Sequence, residues 1–141
     1  MTSILVPALE PSVQKTNAWL EEIAQEFEGD YNQAYQGLRA VLQAIRDRLP
    51  VEEASDLAAQ LPLIIRGLYY EGWNPSNTPT KERNLASFLE KVAEKSGNSS
   101  LIDPETSARA VFKLLAVHFT DGQMNHVRDA LPADVQELWP T

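Results

Sequence analysis

The chain has no cysteine, which excludes a disulfide framework, a thiolate zinc site and a cysteine nucleophile together. Histidine is almost as scarce. His118 and His126 are the only two, and neither stands three or four residues after a histidine or three after a glutamate, the spacing that sets two ligands on one helix face. No metal, cofactor or catalytic residue is therefore assigned, and His118 is read as a polar residue at the edge of a helix seam. The six glycines stand singly at 29, 37, 67, 72, 97 and 122, so no glycine-rich loop is available to cradle phosphates. No serine sits in a nucleophile elbow. Cations are in the minority: 12 Lys and Arg against 20 Asp and Glu give a net charge of −8, which disfavours a nucleic-acid partner. Long apolar runs are missing too. The N-terminal Ile4-Leu5-Val6 is cut off by Pro7 and follows no basic stretch, so neither a signal peptide nor a membrane span is expected, and a cytoplasmic location follows as the default.

What remains is helical. Strand signals are nearly absent, while apolar residues recur at spacings of three and four. Residues 1–12, with Pro7 and Pro11, read as an extended arm. Ile4, Leu5, Val6 and Leu9 are expected to pack either on this chain's own core or on a second subunit that the arm embraces. The first helix is predicted from Val13 to Phe27, with Trp19, Leu20, Ile23, Ala24 and Phe27 on one face. The second is predicted from Tyr31 to Arg48, with a seam of Tyr31, Tyr35, Leu38, Leu42, Ile45 and Leu49. A third covers Val51 to Glu71. Pro62 must interrupt it, by a kink or by starting a new helix. Residues 72–79 form a linker dense in turn formers. Thr78-Pro79 or Thr80 then caps a helix to Ser96. Asp103-Pro104 opens another to Phe119, and Thr120 with Gln123 has capping-box spacing for a last one that meets Pro132.

The second half restates the first. A shift of 70 residues superposes Arg39-Ala40-Val41 on Arg109-Ala110-Val111, Leu61-Pro62 on Leu131-Pro132 and Leu68 on Leu138, six identities over the 32 positions from Leu38 to Tyr69. Other core positions match in kind, as Ile45 with Leu115 and Tyr69 with Trp139, and Trp19-Leu20-Glu21 matches Phe88-Leu89-Glu90 at a shift of 69. Proline in mid-helix costs roughly 3 kcal/mol, so its recurrence at one register points to a shared geometry. The expectation is an all-α bundle of six helices, or more if broken at Pro62 and Pro132, built from two tandem three-helix repeats. One domain spans residues 13–141, with halves 13–72 and 79–140.

Polar residues at equivalent places suggest two structural ion pairs, Arg39 with Glu21 and Arg109 with Glu90; simple solvated charge is the alternative. Arg39, Arg46, Arg48 and Arg66 concentrate positive charge in the first half and are read as a solvated, ion-paired surface. Glu22 and Glu26 read as a solvated helix face. Arg66, Tyr70 and Trp73 stand out because Tyr70 and Trp73 have no aromatic counterpart in the second half. They either cap the bundle or form a patch that anchors a partner.

The joint set Leu38-Arg39-Ala40-Val41-Leu42, Arg46-Asp47-Arg48-Leu49-Pro50, Ala59-Gln60-Leu61-Pro62, Arg66-Gly67-Leu68-Tyr69-Tyr70-Glu71-Gly72-Trp73, Ala110-Val111-Phe112, Val127-Arg128, Leu131-Pro132 and Glu137-Leu138-Trp139-Pro140 resembles a bacterial family known as domain of unknown function 2267. The resemblance runs from Val13 to Pro140. It implies an all-helical, cytoplasmic bacterial protein and carries no activity, substrate or catalytic residue. The function expected first is a non-catalytic helical protein–protein interaction module, homodimeric through its N-terminal arm. The alternative is a small-ligand-binding protein or enzyme with a pocket between the halves.

Overall fold

In the computed structural model, which describes residues 5–140, the described chain is helical with no strand. Seven α-helices follow one another: α1 Glu10–Ala24, α2 Tyr31–Arg48, α3 Val51–Gln60, α4 Leu63–Tyr70, α5 Leu85–Lys95, α6 Pro104–His118 and α7 Asp121–Ala130. Short 3-10 turns add Pro7–Leu9, Gln25–Phe27, Pro75–Asn77 and Val135–Leu138.

Local chemistry accounts for most boundaries. Asp30 caps α2 by accepting from Gln33 N–H at 3.0 Å, and Asp103 caps α6 by accepting from Thr106 N–H at 2.9 Å. Thr120 and Gln123 form a reciprocal capping box at the start of α7. At the end of the first helical segment Gly29, at φ +83°, returns its N–H to Ala24 O at 2.8 Å, the left-handed turn that glycine tolerates best. The chain breaks at both prolines. Leu61 and Leu131 leave the helix in extended conformation, and Pro62 (φ −57°, ψ 152°) precedes the first turn of α4, so the proline's missing N–H removes no helical hydrogen bond.

Two boundaries depart from the sequence expectation. Residues 7–12 are not extended. A 3-10 turn leads into α1 at Glu10, and Pro11 falls in the first turn, where proline fits. The linker is also longer than expected: α5 starts at Leu85, capped by Asn84 accepting from Ser87 N–H at 2.8 Å, rather than at Thr78 or Thr80. Thr80 instead donates its N–H to Asp47 O at 2.8 Å, which ties the linker to the end of α2.

Helix α2 is the axis of the fold. Every residue from Ala40 to Arg46 is buried, and the helix packs against α1, α4, α5 and α6. Tyr31 and Tyr35 in its first two turns are exposed, so the large apolar seam begins at Leu38. At the crossing with α6 a Cβ on Gly37 would lie 3.1 Å from Ser107 Oγ and 3.5 Å from Phe27 Cζ, so there is no room for a side chain larger than a methyl group. One hydrophobic cluster draws on all seven helices, from Trp19 and Ile23 through Leu42, Leu57, Ile65, Phe88 and Phe112 to Val127. Leu5 is 93% exposed and Val6 and Leu9 are exposed as well, so these three do not pack on this chain's core; Ile4 lies outside the described residues.

Candidate functional site

The arginines of the first half are where the molecule differs most from a solvated surface. Arg46 and Arg48 are 2% and 1% exposed, which corrects their reading as solvent-facing charges. A helix end leaves carbonyls without partners, and a guanidinium suits them because it carries five donors and a charge opposed to the negative end of the dipole. Arg46 donates from Nη1 to Tyr69 O and Glu71 O, both at 2.8 Å, closing the end of α4, and its Nε donates to Asp47 Oδ1 at 2.8 Å. Gln43 Nε2 adds a bond to Leu68 O at 2.8 Å. Arg66 donates to Ala58 O and Leu61 O at 2.9 and 3.0 Å and so closes the end of α3. These two carbonyls occupy its Nε and one Nη donor, and the residue is half-buried.

Arg48 is different in kind. Its guanidinium carbon lies 5.2 Å from the Phe88 ring centre, its Nη1 makes one long bond to Ala44 O at 3.3 Å, and its Nε has no acceptor. Burial lowers its pKa, opposed by the charges of Asp47 and Glu82. His118 stands 70 residues later in the sequence. It stacks on Trp19 with 4.8 Å between ring centres and has Nε2 2.8 Å from Glu22 Oε2. Glu22 is thus a partner of His118 as well as part of a surface face.

The two expected ion pairs form with other partners. Arg39 pairs with Glu71 at 2.9 Å and donates to Lys95 O at 3.3 Å, not to Glu21, so it ties α2 to the ends of α4 and α5. Arg109 pairs with Glu105 at 2.9 Å one turn earlier on its own helix, not with Glu90, the local contact being available without crossing to α5.

Tyr70 and Trp73 are half-buried and stacked, with 5.2 Å between ring centres, and Tyr70 also meets Tyr69 edge-on at 5.4 Å. They lie against the core and leave part of their surface to solvent. The buried Tyr69 hydroxyl donates to Ala54 O at 2.7 Å, and burial pushes its pKa up.

Beside this aromatic pair, between the ends of α2 and α5 and the linker, is a pocket of about 240 Å³ lined in part by Arg46, Asp47, Asn77, Thr78, Thr80 and Lys95. Sequence reading passed over Asp47 and Lys95. The available signal was the spacing of Arg39, Gln43 and Asp47, four residues apart, which puts them in one row along α2. A second pocket, of about 170 Å³, lies between α3 and α7, with Leu57, Phe119 and Val127 below and Glu53, Asp56 and His126 around it. Among the described residues no group of three or more histidines and carboxylates is placed to hold a metal ion, and no helix is long and apolar enough to cross a membrane.

A family model matches residues 16–138, nearly all of the helical chain. The chain belongs to the family described as uncharacterized conserved protein (DUF2267). The match begins inside α1 and runs to the last residue of the final 3-10 turn, so the buried arginines and the linker pocket of this DUF2267 chain lie within it, and the exposed Leu5–Leu9 segment lies before it. No curated protein matches the chain. DUF2267 is a family without an assigned activity, and the molecular function of this member is unknown.

Proposed function

We propose that this DUF2267 chain is a non-catalytic helical interaction module that pairs with a second copy of itself through its N-terminal segment. The observation that carries the proposal is the apolar run just before α1: Leu5 at 93% exposure, with Val6 and Leu9 also exposed and no residue of the Pro7–Leu9 turn buried. Contiguous apolar surface in water is costly and marks contact sites. On α4, which packs beside α1, Leu63 and Ile64 also face solvent. A twofold pair in which each arm covers the other copy's Leu63 and Ile64 satisfies both surfaces with one repeated contact.

Two tandem repeats related by an internal twofold are part of the same proposal. In their favour, Arg48 of the first half lies over Phe88 of the second, and His118, its counterpart, stacks on Trp19, the counterpart of Phe88. Each half thus places a cationic or polar planar group on the other's aromatic ring. The breaks at Leu61-Pro62 and Leu131-Pro132 fall at equivalent places. Neither half retains its neighbours without the other, since α5 packs against both α2 and α6.

Sedimentation equilibrium of the full chain and of a Leu5→Ser/Val6→Ser/Leu9→Ser variant tests the pairing. The full chain should approach twice the chain mass at micromolar concentration and the variant should stay at one chain mass; a monomeric full chain overturns it. The second reading is a small-ligand site in the α3–α7 pocket, favoured by its apolar floor and its titratable rim. Retained dimerisation is compatible with that reading, whereas a flat thermal-shift screen across metals, nucleotides and amines counts against it.

A further inference from the structure

We propose that the pocket between the ends of α2 and α5 and the linker binds a small oxyanion, a phosphate or carboxylate group, between Lys95, Arg46 and the polar side chains of Asn77 and Thr80. This goes beyond the pairing of two copies and rests on different residues. The charges set the sign of the ligand. Two cations line the pocket and share one carboxylate: Asp47 Oδ1 is 2.8 Å from Arg46 Nε, and Asp47 Oδ2 is 3.6 Å from Lys95 Nζ. Just outside it, Arg39 and Glu71 neutralise each other at 2.9 Å. One positive charge is left over at this place in a chain whose net charge is −8. A cation taken partly out of water is stable when an anion or several acceptors replace its hydration.

Lys95 lacks that replacement. Its contacts, to Asp47 and to Gln43 Oε1, are long at 3.6 and 3.5 Å, its side chain is only 22% exposed, and burial lowers its pKa despite the neighbouring carboxylate. Arg46 is the opposite, with its two short carbonyl bonds and its bond to Asp47 fixing the guanidinium in place. The site thus joins a buried cation fixed by three short bonds to an ammonium whose two contacts are long. Thr80 is anchored by its own backbone bond to Asp47 O at 2.8 Å and Thr78 by its hydroxyl donating to Pro75 O at 3.2 Å, so the linker is held against the pocket without help from a ligand. A volume of about 240 Å³ suits a small ligand rather than a drug-sized one. The latter fills roughly 300–1,000 Å³.

The experiment is a heteronuclear NMR titration of the full chain with inorganic phosphate and, separately, with malonate, each at constant ionic strength set by sodium chloride. The expected result is a saturable shift confined to the amides of Asp47, Asn77, Thr78, Thr80 and Lys95. Saturation by one anion only tells phosphate from carboxylate recognition. Lys95→Met should weaken the apparent affinity by at least about tenfold. Asn77→Asp, on the exposed turn, should do the same by adding a negative charge while leaving Lys95 in place. Lys91→Met, which removes the lysine paired with Glu94 on the outer face of α5, should leave the affinity unchanged. Shifts that do not saturate, that spread over the surface, or that survive both pocket substitutions in a folded protein overturn the proposal. The pairing of two copies is read from the molecular mass and is unaffected by either result.

Discussion

Replacing Arg48 by methionine should stabilise the protein, although it deletes the only buried guanidinium without a carboxylate partner within salt-bridge distance among the described residues. The structure supplies both sides of the balance. The side chain is 1% exposed, its Nε has no acceptor and its one hydrogen bond is 3.3 Å long. An unsatisfied buried donor costs about 1–3 kcal/mol, and swapping a buried charge for an apolar side chain of similar reach is commonly neutral or stabilising by about 1–4 kcal/mol. Against this stands the loss of the contact with Phe88 at 5.2 Å. A desolvated cation–π contact is worth about 2 kcal/mol, and the thioether of methionine recovers part of it on the same ring. The net expectation is a gain of about 1 kcal/mol in urea unfolding followed by circular dichroism, with an unchanged m-value. Arg48→Ala, which leaves a cavity, should lose about 2 kcal/mol instead. Glu82 provides a check through its charge on Arg48: Glu82→Gln should destabilise the parent protein and have no effect when combined with Arg48→Met. A loss of more than about 2 kcal/mol in Arg48→Met would show instead that the guanidinium is compensated by its surroundings.

Arg46, two residues away, should respond with the opposite sign. Arg46→Met removes the bonds to Tyr69 O and Glu71 O and leaves Asp47 half-buried beside Lys95 alone, so a loss of about 3 kcal/mol is expected in the same urea experiment. Gly37→Leu should cost at least about 3 kcal/mol by forcing α2 and α6 apart, whereas Gly37→Ala, facing Ser107 Oγ at 3.1 Å, should stay within about 1 kcal/mol of the parent in thermal unfolding. Tyr69→Phe removes the 2.7 Å bond to Ala54 O and should lower stability by about 1 kcal/mol, read from the urea midpoint.

The parts of the fold that were legible beforehand are those whose causes are local. The bounds of α2 and α7 follow from Asp30, Thr120 and Gln123, each acting within three residues, and the helix breaks follow from proline itself. The start of α5 was misread because a bond from Thr80 N–H to the distant Asp47 O holds that stretch out of the helix. Arg46 and Arg48 were misread for a related reason. Their acceptors are mainly backbone carbonyls, which carry no side-chain signature, and an arginine beside an aspartate looks like surface charge until the chain around it is folded. The partner of Arg39 is Glu71, 32 residues away, where only the packing of α4 on α2 could bring it. Tyr70 and Trp73 stand out in the sequence because they lack aromatic counterparts in the second half, but neither their stacking nor the pocket reached by Lys95 from the other half of the chain is visible there.

In the pairing proposed above, the exposed N-terminal segment of one copy contacts a second copy. An isotope-filtered NOE experiment on an equimolar mixture of 13C-labelled and unlabelled chains observes that contact directly. The expected result is intermolecular NOEs from the methyl groups of Leu5, Val6 and Leu9 to those of Leu63 and Ile64. Intermolecular NOEs that arise elsewhere on the surface, or none at concentrations well above micromolar, would contradict it.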